Sequence, residues 1–192
     1  MSTKDFLDAS IKNVIKTLFE AILLVILVVF VFLQSLRSTI IPTISIIVSL
    51  IGTFAFLLVA GFSLNMITLF ALVLVIGTVV DDSIVVVEAV QAKFDQGYKS
   101  GYKASVDAMG GISSALVATT FVFMAVFIPV SFMGGTTGTF YKQFGLTMAV
   151  AVGISLINSL TLSPALCALI MTPHDEVKPG EKASFSSRFH KA

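Results

Sequence analysis

Charge is what this sequence has least of. Only 12% of its 192 residues are Asp, Glu, Lys or Arg, about half the share of an ordinary soluble domain. Hydrophobic residues make up 56%, and the mean hydropathy is +1.01. This composition argues against a soluble core and for an integral membrane protein. Cysteine and histidine are nearly absent, at one and two residues. Cys167 lies in an apolar run, cannot form an internal disulfide, and reads as a small packing residue. His174 and His190 fall in a polar tail, so no metal site is credible and no cofactor is expected. The net charge of +1 gives nucleic acid nothing to bind.

The scarcity of charge is uneven. From Ser38 to Val80 there is not one charged residue. A membrane helix needs about 20 apolar residues, so this stretch holds two spans. It ends on two adjacent acids, Asp81 and Asp82, inside a run of valines and isoleucines. An Asp near the bilayer centre costs roughly 2.5–3.5 kcal/mol on insertion scales, and two neighbouring carboxylates also repel. A chain that keeps such a pair uses it to bind and release protons or cations.

Five spans follow from the apolar runs, at about 14–33, 39–60, 66–87, 112–132 and 144–171. The fold class is therefore all-α, a polytopic membrane helix bundle. Residues 1–13 form a stub and 173–192 a polar tail. Pro42 is expected in the first turn of the second span, where a missing N–H is tolerated. Residues 88–107 read as a helix end plus a surface loop, and Pro164 as a kink or early stop in the fifth span. Alternation of sides puts Lys4, Lys12, Lys16 and Lys142 together. The other side holds Arg37, Lys93, Lys99, Lys103, Lys178, Lys182, Arg188 and Lys191. The positive-inside rule assigns the richer side to the cytoplasm. The N-terminus then faces the periplasm and the tail the cytoplasm. An outward N-terminus without a cleavable signal suggests a segment of a longer polytopic protein.

In the third span Gly77 and Thr78 lie one turn before Asp81 and Asp82. Thr78 is placed either to donate to a carboxylate or to bond back to its own helix. Gly77 would let another helix approach closely beside the acids. Asp81 lies about 22 Å along the helix from Met66, past the middle of a core about 30 Å thick. Two packings with different proton affinity would couple proton flow to movement. No Lys or Arg lies deep in any span, so a counter-charge is expected from helices outside this sequence. Glu20 and Glu88 are weaker candidates for a polar path. The plainer readings are an acid reaching the interface for Glu20 and a helix-end carboxylate for Glu88. Asn158 and Thr161 read as interhelical hydrogen-bonding residues. The seventeen Phe residues are spread over many positions and define no drug pocket.

The run Leu72-Val73-Leu74-Val75-Ile76-Gly77-Thr78-Val79-Val80-Asp81-Asp82-Ser83-Ile84-Val85-Val86-Val87-Glu88 closely resembles a known helix. That helix is the fourth transmembrane helix of resistance–nodulation–division (RND) efflux pumps of the acriflavine-resistance, or hydrophobe/amphiphile, type. Further segments agree in the family's order. Phe32 to Pro42 resembles the junction of helices two and three, and Gly61 to Asn65 the turn before helix four. Phe132 to Phe144 resembles the loop between helices five and six, and Leu162 to Ala168 the end of helix six. The resemblance implies helices two to six of a twelve-helix, proton-driven drug antiporter of the bacterial inner membrane. Asp81 and Asp82 would carry its protons. It further implies a homotrimeric parent, a periplasmic adaptor protein and an outer-membrane channel. The helices bearing the basic partners and the periplasmic portions that bind drug would lie outside these residues, so the chain alone is not expected to transport.

Other readings are open. One is an RND-type exporter of another cargo, a metal or a lipid; Met66, Met124, Met133 and Met148 are too scattered to line a metal path. Another is a truncated, non-transporting membrane protein. An intramembrane aspartyl protease needs its two acids on different helices. Here they are consecutive, about 100° apart on one helix, which argues against an enzyme.

Overall fold

A computed structural model of the chain describes residues 3–63, 65–135 and 137–172, and among these the regular structure is entirely helical. The helices are α1 (Thr3–Leu33), α2 (Leu36–Val59), α3 (Met66–Asp95), α4 (Gly101–Val130), α5 (Gly138–Leu160) and α6 (Leu162–Ile170). Five stretches are long and apolar enough to cross a membrane, the last being α5 and α6 together. The polar tail, with His174 and His190, lies outside the described residues.

The turns are set by local chemistry. Gln34, in the left-handed region at φ 49°, ends α1, and the extended Ser35 opens α2, its Oγ accepting from Ser38 N–H. This cap starts α2 earlier than hydropathy suggests. Pro42 therefore sits inside the helix rather than in its first turn. There it withholds the N–H that would reach the Ser38 carbonyl. Gly61, at φ 67°, closes α2 with paired bonds, Phe62 N–H to Leu57 O and Gly61 N–H to Leu58 O. Asn65 opens α3 with a reciprocal cap. Its Oδ1 accepts from Ile67 and Thr68 N–H, and its own N–H donates to Thr68 Oγ1.

Helix ends outrun hydrophobic ends. At 1.5 Å per residue the 30-residue helices α3 and α4 are about 45 Å long, against a hydrocarbon core of about 30 Å. The segment 88–107, expected as a helix end plus a surface loop, is thus mostly helix, with only residues 96–100 between α3 and α4. Backbone hydrogen bonding continues into water, whereas hydropathy stops at the membrane. In the last span the break falls at Thr161, between α5 and α6. Pro164, three residues later, cannot donate to the Leu160 carbonyl.

α3 is the central helix and packs against all the others. It feeds two apolar clusters. One gathers Leu72, Val75, Ile76 and Val79 with Ile46, Leu50, Met148 and Ala151. The other gathers Val86, Val87, Val90 and Phe94 with Ile41, Ala104, Ala108 and Cys167. The two acids fall at the waist between them.

Candidate functional site

The two acids of α3 face different surroundings. Asp82 is half-buried and turns toward α5, where Ser155 Oγ donates to its Oδ2 at 2.7 Å. Asp81 is exposed and shares an uncovered face of α3 with Gly77 and Glu88. That separation follows from the 100° step between consecutive helical residues. Among the described residues no cation approaches either acid; the only ion pair joins Lys16 and Glu20 on α1 at 3.7 Å.

The other sequence candidates are not drawn to the pair. Thr78 Oγ1 bonds back to the Val75 carbonyl at 3.0 Å rather than to a carboxylate. A side chain grown from Gly77 would meet nothing within 4 Å, so no described helix uses the close approach it offers. Glu88 is exposed at the far side of the same face. Glu20 pairs with Lys16 on the surface of α1. No group of three or more His, Cys, Asp or Glu side chains comes together among the described residues.

A buried polar seam runs beside the acids between α2 and the α5–α6 unit. Asn158 Nδ2 donates to Ser49 Oγ at 2.7 Å, and the Ser45 and Ser163 hydroxyls meet at 3.1 Å. Thr161 bonds back to the Ile157 carbonyl instead of crossing to a neighbour. Sequence reasoning singled out Asn158 but missed Ser155, Ser49, Ser45 and Ser163. A signal was present. Ser45, Ser49 and Thr53 recur every four residues, as do Ser155, Ser159 and Ser163, and all six are fully buried. That spacing puts Ser45, Ser49 and Thr53 on one face of α2, and Ser155 and Ser159 on one face of α5 with Ser163 beyond the Thr161 break, where small residues let helices pack closely. Which faces meet is fixed by the antiparallel packing of α2 on α5 and α6.

A cleft of about 420 Å³ lies at the end carrying the α4–α5 loop, lined by Phe62, Phe132, Gly134, Lys142 and Gln143 among others. The acids are not part of it.

Residues 1–192 match the AcrB/AcrD/AcrF family. The chain is 46% identical, over 191 residues, to the multidrug export protein AcrF of Escherichia coli, an alignment covering 97% of this chain and 18% of that protein. It is 43% identical to the toluene efflux pump membrane transporter TtgE of Pseudomonas putida, over 99% of this chain and 18% of that one. It is 44% identical to the multidrug resistance protein MdtF of Escherichia coli, over 99% of this chain and 19% of that one. The chain thus spans less than a fifth of the length of these relatives.

Proposed function

Because this chain belongs to the AcrB/AcrD/AcrF family of RND multidrug efflux transporters, we propose that it carries the proton-handling aspartates, Asp81 and Asp82, of a drug/proton antiporter. The observation that carries this reading is the placement of the pair. Two carboxylates sit at the waist of the central helix, between two apolar clusters, with no base beside them among the described residues. Such acids are expensive to keep in a membrane unless they are used. Asp81 opens onto a face that no described helix covers. A basic helix from the rest of a longer protein would complete it and give the pair two states, proton-bound and cation-paired.

In this reading the protein is a multi-pass component of the bacterial inner membrane. Its N-terminus is periplasmic and its C-terminus cytoplasmic, a reading that the distribution of basic residues supports. The parent is a homotrimer working with a periplasmic adaptor and an outer-membrane channel. It exports drugs, in keeping with relatives named for multidrug export and toluene efflux. The coupling ion is the proton and no cofactor takes part.

The test is Asp81→Asn and Asp82→Asn in the full-length protein that contains this segment. Each is expected to abolish drug resistance at unchanged protein level in the membrane. Full resistance in both variants sinks the assignment.

A further inference from the structure

We propose that Ser155 is a positioning residue for Asp82, tying that carboxylate to α5 and giving the two aspartates different work. The inference rests on the proton-handling reading of the pair and goes beyond it by separating the members.

Hydroxyls within membrane helices commonly turn back to a carbonyl of the preceding turn. Thr43, Thr53, Ser131 and Thr147 all do so here. Ser155 does not. Fully buried, it crosses to α3 and donates to Asp82 Oδ2 at 2.7 Å. A hydrogen bond to an ionised carboxylate is shorter and roughly twice as strong as a neutral one. When Asp82 takes a proton, the tie between α3 and α5 therefore weakens.

The contact is continued on the adjoining flank of α5, about 60° round the helix. Less than one turn after Ser155, Asn158 donates to Ser49 of α2, and beyond the Thr161 break Ser163 meets Ser45. α5 thus holds Asp82 with one residue and α2 with the next. Among the described residues, the buried hydroxyls of Ser83, beside Asp82, and Ser159, one turn after Ser155, have no partner. The seam therefore has unused hydrogen-bonding capacity that a second packing can take up. Proton uptake at Asp82 changes how α5 seats between α3 and α2. Asp81, on the open face, is left to meet the cation.

The experiment uses the full-length transporter carrying this segment, purified and reconstituted in proteoliposomes. Ser155→Ala, Ser155→Cys and Ser155→Thr are each compared with wild type. Ser155→Ala is also placed on Asp81→Asn and on Asp82→Asn. Ser155→Ala is expected to lower drug turnover about tenfold and to leave KM within about twofold. Ser155→Thr, which keeps the hydroxyl, restores turnover. The carboxyl band that Asp82→Asn removes from the infrared difference spectrum shifts in Ser155→Ala and returns in Ser155→Thr. Thermal stability completes a double-mutant cycle. Ser155→Ala costs about twice as much stability on the Asp81→Asn background as on Asp82→Asn, where the neutral amide oxygen still accepts the hydroxyl. Ser155→Cys, similar in volume but a weak donor, follows Ser155→Ala and covers the case in which alanine loosens the seam.

An unmoved carboxyl band, or an equal stability loss on both aspartate backgrounds, overturns the proposal and leaves Ser155 a packing residue. Failure of the underlying reading looks different, because both aspartate variants would then transport normally whatever Ser155 does.

Discussion

Two identical side chains, one residue apart, have been given unlike neighbours. Asp82 accepts a hydrogen bond from a buried serine of another helix, while Asp81 looks outward beside a glycine. The helical step alone accounts for the split, and its chemistry belongs to the site. A third acid, Asp107, acts outside it. In the link between α3 and α4, Tyr98 Oη donates to Asp107 Oδ2 at 2.6 Å, with Lys93 Nζ 5.7 Å from the tyrosine ring. That hydrogen bond, and then the negative charge of Asp107, raises the Tyr98 phenol above its usual 10.0. The folded value lies above the unfolded one. The contact is therefore complete below pH ~10 and is lost as pH climbs through the folded value. Phenolate absorbance of the full-length protein, taken as the difference from Tyr98→Phe, is expected to show a late titration. Asp107→Asn should bring it earlier, and an unmoved midpoint would break the assignment.

Element ends are decided by caps and close approaches more than by hydropathy. Ser35 and Asn65 start α2 and α3, and Gly61 and Gly97 end α2 and α3 in left-handed turns. α5 approaches the end of α4 closely at Gly145. A Cβ at Gly145 would lie 2.5 Å from Ser131 Oγ and 2.7 Å from the Phe127 carbonyl. Neither neighbour has room to retreat, since Ser131 Oγ is itself bonded to Phe127 O at 3.0 Å. Gly145→Ala is expected to push α5 off α4 and to cost about 1–3 kcal/mol, read as earlier thermal unfolding of the full-length protein in detergent. Gly110→Ala is the control, because a Cβ there meets nothing within 4 Å and alanine favours helix by up to about 1 kcal/mol. Equal behaviour of the two variants would mean that this crossing is not tight.

At the scale of the whole molecule, these helices make a partial bundle. Half of the α3 span is buried, but only 11% of the α4 span is. The acid pair has no cation beside it among the described residues, and the chain spans under a fifth of its relatives' length. A proton switch needs two alternatives for its carboxylates, and only the serine side of one of them is present. The 192-residue chain in proteoliposomes is therefore expected to show no drug-dependent proton movement, measured with a pH dye trapped inside. The full-length protein in the same vesicles is the positive control. Coupled flux from the short chain alone would show that the second alternative lies within these residues.

The sequence by itself determined the membrane class, the five spans and the family, because an apolar run of bilayer length has few other structures open to it. It also exposed the acid pair, since two charges after so long an uncharged stretch stand out without any coordinates. It misplaced Pro42 within its helix, for a cap governs where backbone bonding begins and hydropathy does not record caps. Only the tertiary structure decided that Ser155 reaches Asp82 and that Asn158 holds Ser49. The four-residue spacing of the serines was legible, but a spacing names a face and not what lies opposite. That depends on which helices are neighbours and at what register, and both are settled by the packing of the two apolar clusters around α3.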